Sequence, residues 1–486
     1  TYTTNKPSWL TALSIETGNG GTAGEQGTAT LSAADIKDLL KERNDGLKAA
    51  TPLGTASRYY DLSTAGGTVA RSTANSYVIS APGYYRIPLV YGNAITGGAT
   101  NSSAYISSAP VTIVGGADVI LHNFKDHNGN NITNPWIEKS NAANTNIDGA
   151  HIVWADEANL IHLSSTPIVH EGANNDAYLQ FEVKASDIKS GNAVVAVTKG
   201  NTVVWSWHLW FAPQSALTPI EVTNHQNKKY NFTEETLGWK PTEWLATTYN
   251  APRTVKVKVE QEYGPSSNKK IAVFNITQNP GGKKASIATF YQFGRKDAIP
   301  GTDALAAAST YSFDNTAGGR SLGYAIQHPE NMFGNVGTGY NSADWCNTTY
   351  YNLWSVDNTT VGFKDEAVIK TVYDPSPAGY KMPTSNVFTG FTIDGENGTT
   401  INHDGTYNYG HNFWTNSNKN EIIFLPAVGC RRISDGLFSV GGFGYYWSAI
   451  PKSTDSGCYM YFNGGFVFPL SLNGRADAFA VRPVTE

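Results

Sequence analysis

The sequence predicts a mostly β protein, and two observations carry that prediction. Of the 486 residues, 48 are glycine and 12% are aromatic, whereas only 15% are charged. This composition favours strands joined by tight turns over long amphipathic helices, which need Ala, Leu, Glu and Lys. Short β-branched or aromatic runs also recur between bounding Gly, Asn and Pro residues, which is the pattern of a β-sandwich. The length of the chain predicts several domains.

The first elements along the chain are predicted to be a strand pair and a helix. Residues 7–33 alternate apolar and small polar side chains around a Gly-rich centre, as two strands and their turn would. The segment SAADIKDLLKERNDG, residues 32–46, predicts the one convincing helix. Ser32 and Asp35 have capping-box-like spacing, and Gly46 suits the position just past the helix end.

Strand signals then continue through the middle of the chain. The runs are SYVISAPGYYRIPLVYG, AHIVWAD, AYLQFEV, NAVVAVTKG and TVVWSWHLWF. A final hairpin alternates strictly from Val255 to Val259 and is predicted to turn at residues 264–267. Residues 278–284, QNPGGKK, form the best domain boundary because Pro-Gly-Gly interrupts regular structure. Beyond this boundary, long polar loops separate short aromatic strands, and such loops are often functional.

Charge and cysteine content exclude several classes of protein. The net charge is -5 without any run of Lys or Arg, so nucleic acid and anionic lipid surfaces are not expected partners. Cys346, Cys430 and Cys458 lack CxxC spacing, which excludes a zinc site made by the cysteines and permits at most one disulfide. No apolar run approaches the roughly 20 residues that span a bilayer. We therefore expect a soluble chain whose signal segment, if any, was removed or never included.

The segment HNFKDHNGNN could resemble a calcium-binding loop. Its acidic and amide residues Asp126, Asn128 and Asn130 alternate as calcium ligands do. The bidentate acid that should close such a loop is missing, and Pro135 and Trp136 stand there instead. The sequence therefore predicts a polar turn and no bound metal. The ten histidines show no HExxH-type spacing, so a catalytic zinc is not expected either.

No catalytic motif stands out in the sequence. A GxSxG elbow, a Walker loop and a GxGxxG opening a helix are all missing, since GGFGYY at 441–446 is followed by a predicted strand. A glycosidase carboxylate pair stays open, because Asp and Glu occur throughout. Trp205 and Trp210 in VVWSWHLWF could stack on sugar rings. Alternation places Trp205 and Trp207 on one strand face, and core packing is the preferred interpretation.

The aromatic stretch from Gly441 to Phe466 poses the same choice between binding and packing. Alternation places Tyr445 and Trp447 on one face of a strand, and Asn463-Gly464-Gly465 predicts the following hairpin turn. On the second strand, one face carries Cys458, Met460 and Phe462. These faces are predicted core, so recognition is expected in the polar loops that the strands hold.

A set of motifs in residues 281–486 resembles a known domain. In order, the motifs are YQFGRKDAIPG, NLWS, YDPSPAGYKMPT, FLPAVGCR, GYYWSA and RADAFAVRPV. Their order and spacing resemble the major paralogous domain of Bacteroidetes and Fibrobacter surface proteins. The resemblance implies a loop-rich α+β fold of the C-type-lectin-like and formylglycine-generating-enzyme-like kind. Many relatives have cysteine at the position of Ser376, so a disulfide cannot be carried over there.

Upstream segments extend the resemblance over almost the whole chain. TANSYVISAPGYYRIPLVYGNAI, WSWHLW and VTNHQNKKYNF are similar to segments of fimbrillin-like and cell-adhesion proteins of gut Bacteroidetes. PSWLTALSIETGNGGTAG is similar to the end of a BACON-type, Ig-like module. The resemblance implies a BACON-like segment with one helix at 1–57, and a fimbrillin-like β-sandwich region at 58–280 that forms either one domain or two subdomains. That region would be Ig-like or transthyretin-like, of the pilin type, and the lectin-like domain would follow at 281–486.

The resemblance implies a non-enzymatic cell-surface adhesin or a fimbrial subunit at a pilus tip or in an accessory position. Such a protein is exported to the extracellular face of the outer membrane and touches the membrane only through a lipid anchor. Its implied partners are other pilus subunits, joined by strand donation, and a surface glycan or protein. Strand donation suits a sandwich that lacks a strand, because the donated segment completes both the open edge and the apolar groove.

Two other functions stay open. One is a glycan-binding surface component of a polysaccharide-uptake system, in which Trp205 and Trp210 would stack on sugar rings. The other is an enzyme, either a glycoside hydrolase or a formylglycine-type oxidase.

The predicted ligand contacts lie in polar, turn-rich loops of the C-terminal domain. No catalytic residue, metal ligand or cofactor is predicted. The predicted contact residues are Asn416, Asn418, Lys452, Asp455, Asn473, Arg475 and Asp477.

Overall fold

The computed structural model shows a mostly β protein, as the composition predicts. It describes residues 6–18, 25–260, 269–335, 344–434 and 436–486. The Gly-rich centre of the first predicted strand pair falls largely on residues 19–24, which lie outside the described residues, as does the turn predicted at 264–267. Within the described ranges, no helix is both long and apolar enough to cross a lipid bilayer.

The strands are short and numerous, and three α-helices accompany them in the described residues. In chain order the strands are β1 (Leu10–Ile15), β2 (Gly27–Leu31), β3 (Ile36–Asp38), β4 (Tyr60–Asp61), β5 (Ser76–Ile79), β6 (Gly83–Pro88), β7 (Ile95–Thr96), β8 (Ala99–Thr100), β9 (Ile113–Val114), β10 (Ala117–Asp118), β11 (Gly149–Ala155), β12 (His162–Glu171), β13 (Asp176–Val183), β14 (Gly191–Lys199), β15 (Thr202–Phe211), β16 (Pro219–Thr223), β17 (Lys229–Thr233), β18 (Lys240–Thr247), β19 (Arg253–Glu260), β20 (Ile271–Gln278), β21 (Gly282–Ile287), β22 (Tyr291–Gln292), β23 (Ser312–Asp314), β24 (Asn331–Phe333), β25 (Tyr380–Lys381), β26 (His403–Asp404), β27 (Gly410–Trp414), β28 (Ile422–Pro426), β29 (Cys430–Arg432), β30 (Gly436–Phe438), β31 (Gly444–Pro451), β32 (Ser456–Asn463), β33 (Phe466–Gly474), β34 (Ala478–Phe479) and β35 (Val484–Thr485). The described α-helices are α1 (Leu39–Ala49), α2 (Ile137–Ser140) and α3 (Leu322–Gln327).

The chain forms two compact units, each built from two stretches of sequence. The smaller unit contains Thr1–Lys41 and Glu243–Lys284, and the larger unit contains Glu42–Thr242 and Ala285–Glu486. The chain passes back into the larger unit directly after the boundary predicted at 278–284. Most of the predicted segment 58–280 and nearly all of the predicted segment 281–486 contribute to the larger unit.

The smaller unit consists of two-stranded and three-stranded sheets with little burial. β1 pairs antiparallel with β2, β19 pairs antiparallel with β20, and β18 lies between β21 and β3. The pairing of β19 with β20 joins Arg253 to Gln278 at one end and Glu260 to Ile271 at the other. Several large apolar side chains of these strands are exposed, namely Ile15, Leu31, Ile36, Ile271, Val273 and Phe274.

Two four-stranded sheets form the first half of the larger unit. One has the order β11-β14-β15-β5, and the other has the order β12-β13-β6-β4. Side chains from both sheets enter one hydrophobic core cluster, among them Trp205, Trp207, Tyr85 and Phe181. The runs predicted from β-branched and aromatic residues coincide with β5, β6, β11, β13, β14 and β15. Those residue types fit a pleated strand that is buried on both faces.

Small sheets form the C-terminal half of the larger unit. β31, β32 and β33 make an antiparallel meander, while β22-β34-β29-β30 and β16-β17-β35-β25 are the orders of two further sheets. Asn463 pairs with Phe466, so residues 464–465 form the predicted hairpin turn. Trp447 is fully buried, and its indole N–H donates to the Tyr291 carbonyl at 2.9 Å. The aromatic residues of the meander are therefore chiefly scaffold.

The helix predicted over residues 32–46 is wrong at both ends. Residues of β3 pair with β18, so the chain is extended upstream of α1 and Ser32 does not cap it. The Asp38 carboxylate instead accepts a hydrogen bond from the Lys41 N–H at 2.9 Å. Gly46 lies inside α1 rather than past its end. Pairing with a strand that is distant in sequence outweighs the local helix signal here.

Candidate functional site

Five of the seven predicted contact residues come together in the C-terminal half of the larger unit. This set, named the Arg475 cluster, comprises Lys452, Asp455, Asn473, Arg475 and Asp477. Its members lie on the turn between β31 and β32 and on the chain from β33 to β34.

Arg475 is the buried centre of this cluster, with 1% of its surface exposed. Its Nη1 donates to Asp344 Oδ2 at 3.2 Å and to the Tyr350 carbonyl at 2.9 Å. Nη2 donates to the Ser453 carbonyl at 3.1 Å, and the Arg475 main-chain N–H donates to the Asp455 carbonyl at 3.0 Å. The guanidinium therefore ties three chain segments together, and this burial leaves it little surface for a ligand.

The chain between β33 and β34 is fixed in a similar way. Asn473 Nδ2 donates to Asp477 Oδ2 at 2.6 Å, and Asp477 Oδ1 accepts from the Ile433 N–H at 2.9 Å. Asp477 is buried, with 7% exposure, and its two oxygens bind one partner within the loop and one on the segment after β29. Asn473 is half-buried and remains partly accessible.

The turn between β31 and β32 presents the accessible charges of the cluster. Lys452 and Asp455 are half-buried. The Lys452 ammonium lies 4.4 Å from the centre of the Phe363 ring, and Asp455 Oδ1 accepts from Ser453 Oγ at 2.7 Å. Lys452, Asp455 and Asn473 are therefore the members of the cluster that a ligand can reach.

The acid beside Arg475 is electrostatically unusual. Burial raises the pKa of Asp344 to about 6, the Arg475 charge opposes this shift, and the nearby Asp455 charge adds to it. At neutral pH the Asp344 carboxylate is ionised and pairs with Arg475. Protonation below about pH 6 weakens that pair.

The other two predicted contact residues lie on a different turn. Asn416 and Asn418 belong to the connection between β27 and β28, where the Asn418 N–H donates to Asn416 Oδ1 at 3.0 Å. Asn416 Nδ2 donates to Thr415 Oγ1 at 3.1 Å. These contacts are local, so the structure does not join the pair to the Arg475 cluster.

Trp205 and Trp210 are core residues in this structure. Their exposures are 0% and 1%, which leaves no indole face open for a sugar ring. The Trp205 indole N–H donates to Asn75 Oδ1 at 3.1 Å, and that of Trp210 donates to the Trp239 carbonyl at 3.0 Å. This placement agrees with the core-packing interpretation of the VVWSWHLWF run.

The HNFKDHNGNN segment forms a polar turn around Asp126. Asp126 Oδ1 accepts from the main-chain N–H groups of Asn128 and Asn130, each at 2.9 Å. Oδ2 accepts from the amide groups of Asn141 and Asn144 at 2.8 and 3.1 Å. The turn interpretation is confirmed by these four bonds. Across the described ranges, no group of three or more His, Cys, Asp or Glu side chains could hold a metal ion.

A cleft of about 460 Å³ adjoins the Arg475 cluster. Its walls are the turn 125–129, helix α3 with the residue before it, and the segment 347–350. That last segment is bonded to the cluster, because Arg475 Nη1 donates to the Tyr350 carbonyl at 2.9 Å. The same segment therefore lines the cleft and supports the predicted loops.

The packing of the cleft walls has identifiable causes. The Tyr373 hydroxyl donates to the Lys125 carbonyl at 2.6 Å and accepts from the Lys125 N–H at 3.0 Å. At Gly323 of α3, an added Cβ would lie 2.9 Å from the Gly129 nitrogen and 2.9 Å from the His127 oxygen. Glycine is therefore required for α3 to approach the turn this closely.

Sequence reasoning did not find this cleft. Its walls come from three separate stretches, and Tyr324 and Tyr350 belong to no motif of recognised spacing. Only the turn 125–129 carries a local sequence signal. That signal predicts the turn but not the other two walls of the cleft, α3 and residues 347–350. Comparisons of the chain with protein-family models, with curated proteins and with solved structures gave no match.

Proposed function

We propose that this chain is a non-enzymatic surface adhesin or fimbrial subunit that presents a lectin-like C-terminal region for contact. One observation carries the proposal. Charged residues of the C-terminal motifs are buried and hold loops in place through hydrogen bonds to the main chain, whereas polar side chains on those loops reach the surface. Export to the outer face of the cell is part of the proposal. The motif resemblance to fimbrillin-like and major paralogous proteins supports it.

The arginines of two motifs illustrate the clamping. Arg482 of RADAFAVRPV is fully buried and donates to the Thr233 carbonyl at 2.7 Å and to the Phe424 carbonyl at 3.0 Å. Arg431 of FLPAVGCR is 2% exposed and donates to the Pro300 carbonyl at 2.7 Å. A guanidinium has five N–H donors, so it can hold several main-chain segments at once. Such residues stabilise loops rather than contact ligands.

The acidic residue of YDPSPAG is used in the same way. Asp374 is 1% exposed, and its oxygens accept from the Ser376 N–H at 2.7 Å and from the Met382 N–H at 2.8 Å. A carboxylate whose two oxygens are both bonded to the main chain is poorly placed to move a proton to or from a substrate. This supports binding over hydrolysis at the motif.

The thiols also favour binding over thiol chemistry. All three cysteines are buried. Burial raises the pKa of Cys346 to about 12 and that of Cys458 to about 12. Nucleophilic or oxidative cysteine chemistry requires an accessible thiolate near neutral pH. The geometry thus supports an adhesive role over a formylglycine-type oxidase.

Contact with other subunits through strand donation is the second part of the proposal, and we place it in the smaller unit. Within the described residues, β19 and β20 pair only with each other. Val273 is 50% exposed and Phe274 is 41% exposed on β20. Open strand edges beside exposed apolar side chains are what a donated strand would cover.

Localisation and adhesion measurements test the proposal. Immunogold labelling of intact cells should place the protein on the outer surface, at pilus ends or along pili. Cells that carry Lys452→Ala with Asp455→Ala should adhere several-fold less than wild type. Lys184→Ala, an exposed change directly after β13, is the matched control and should leave adhesion unchanged. Label confined to the cell interior would contradict the proposal.

A further inference from the structure

We propose that the cleft between residues 125–129, helix α3 and residues 347–350 binds an acidic saccharide unit. This inference rests on the proposed surface-binding function and gives that function a ligand class and a place. The cleft volume of about 460 Å³ lies within the range of roughly 300–1,000 Å³ that is usual for small-molecule sites. It suits a ligand of monosaccharide or disaccharide size.

The lining of the cleft matches a ring-shaped, hydroxyl-rich ligand. Tyr324 and Tyr350 contribute half-buried aromatic rings that pack partly on the core and partly line the cleft. Aromatic rings of this kind cover the apolar faces of sugar rings. Asn128, Gln327 and Asn347 contribute amides, which both donate and accept hydrogen bonds as a sugar hydroxyl requires.

Two of these amides are held in place and keep bonding capacity for a ligand. Gln327 Nε2 donates to the His127 carbonyl at 2.7 Å, which leaves Oε1 to accept from a ligand hydroxyl. Asn347 Oδ1 accepts from Thr348 Oγ1 at 3.3 Å, which leaves Nδ2 to donate. Groups that are already oriented lose little conformational freedom when a ligand binds.

His127 provides a second, independent pointer to a ligand. It is 3% exposed, and its Nε2 accepts from Asn128 Nδ2 at 3.0 Å, so the ring proton lies on Nδ1. Among the described residues, His127 Nδ1 has no hydrogen-bond partner. A buried donor without an acceptor is unfavourable. His127 lines the cleft, and we assign the missing acceptor to an oxygen of the bound ligand.

The charge of the lining selects an acidic ligand over a neutral one. Lys125 Nζ donates to the neutral Asn131 Oδ1 at 2.5 Å. The described residues of the lining include no carboxylate. Burial lowers the pKa of His127, which is therefore neutral at pH 7. The positive charge of Lys125 is left to attract a carboxylate such as that of a uronic acid.

Binding of the full-length chain to an array of neutral and uronic-acid-containing oligosaccharides tests the inference. We expect signals on acidic oligosaccharides that weaken as salt is added. Asn347→Trp, which fills the cleft from an exposed position, should reduce the affinity at least tenfold. Tyr350→Ala should do the same, with circular dichroism confirming the fold. Lys184→Ala, an exposed change directly after β13 and outside the cleft lining, is the matched control and should bind as wild type.

Lys125→Gln tests the charge of the cleft separately from its shape, because it removes the positive charge and keeps a long polar side chain. This variant should lower the affinity for acidic oligosaccharides several-fold and remove the salt dependence of their binding. The affinity for any neutral oligosaccharide should stay unchanged. The His127 ring resonances should shift on ligand addition in NMR spectra of wild type but not of Asn347→Trp.

The outcomes distinguish this inference from the proposed function. Acidic oligosaccharides that bind folded Asn347→Trp as tightly as wild type would overturn the cleft and leave the adhesive function standing. Binding of neutral sugars alone would overturn the acidic ligand class. Absence of saccharide binding in a chain that still supports cell adhesion would overturn the inference but not the adhesin. Loss of both adhesion and surface location would overturn the two together.

Discussion

The β31–β33 meander and the β19–β20 hairpin are both antiparallel, yet they are buried to opposite degrees. Along β19, from Arg253 to Glu260, half-buried and exposed residues alternate strictly. Along β31, from Gly444 to Pro451, every residue is buried. The difference follows from the sequences, because VKVKVE alternates apolar and charged residues whereas GYYWSA does not. Strict alternation marks a strand with a solvated face, and consecutive aromatic residues mark a strand covered on both faces.

The two faces of the meander are covered by different contacts. On one face, the rings of Trp447 and Phe479 are stacked with centroids 4.3 Å apart, and those of Tyr445 and Tyr461 are stacked at 6.0 Å. On the other face, the Tyr446 hydroxyl donates to a loop carbonyl, that of Pro426, at 2.6 Å. Aromatic residues that look like a binding patch in sequence are thereby absorbed into packing. The proposed recognition is therefore assigned to polar loops and not to these rings.

The largest expected difference between the two regions is in the cost of truncating one side chain. Trp447→Ala should lower the free energy of unfolding of the larger unit by about 3–5 kcal/mol, because it leaves a cavity and removes the hydrogen bond to the Tyr291 carbonyl. Val257→Ala, in the half-buried row of β19, should cost about 1 kcal/mol or less in the smaller unit. Urea denaturation followed by fluorescence and hydrogen exchange would measure both values.

Equal losses of unfolding free energy for the two variants would contradict the expected difference between the meander and the hairpin. A folded Trp447→Ala chain of unchanged stability that no longer supported adhesion would make Trp447 a contact residue instead of a scaffold residue.

The sequence predicts the strands well because their signals are local. β-branched and aromatic runs bounded by Gly and Asn identify β13, β14 and β15 without reference to their neighbours. The start of α1 is mispredicted because strand pairing with β18 decides it, and no local pattern in residues 32–46 records that pairing. Likewise, the bond from Gln327 to the His127 carbonyl joins residues 200 apart in sequence. Contacts at such separations build the cleft, so the cleft is invisible to pattern reasoning.

The candidate loops show what the same reasoning can and cannot reach. The structure brings residues 452–456 and 473–477 together, and their role in binding stays a prediction. Composition alone cannot tell that Arg475 points inward, because a guanidinium is buried only when carbonyl and carboxylate acceptors surround it. Those acceptors include Asp344 and Tyr350, which lie in a different stretch of the chain.

A pH-dependent loss of stability should also distinguish the buried region from the hairpin. His411 is fully buried, its Nε2–H donates to the Asn463 carbonyl at 2.8 Å, and its ring packs on Phe462 of β32. Burial lowers the pKa of His411 from 6.5 to about 4. A lowered histidine pKa means that this stability is complete above pH 6.5 and is lost as the pH falls toward 4. We expect a loss of about 1–2 kcal/mol, since solvent screens part of the effect.

His411→Gln is the variant that isolates this effect, because glutamine can retain a donor to the Asn463 carbonyl but does not titrate. Its unfolding free energy should change less between pH 7 and pH 4.5 than that of wild type. An identical pH profile in both chains would show that His411 is not the titrating group. The strands β19 and β20 contain no histidine, so hydrogen exchange in the hairpin, corrected for intrinsic rates, should not follow this titration.

The smallest effect is expected for a cross-strand pair on the hairpin. Thr254 Oγ1 and Thr277 Oγ1 lie 3.1 Å apart on exposed positions of β19 and β20. A double-mutant cycle with Thr254→Ala and Thr277→Ala should give a coupling energy of about 0.2–1 kcal/mol, because water competes for both hydroxyls. Hydrogen exchange of the hairpin amides would report it. A coupling well above that range would mean that the hairpin is more tightly built than its exposure indicates, and that alternation is a poor guide to its stability.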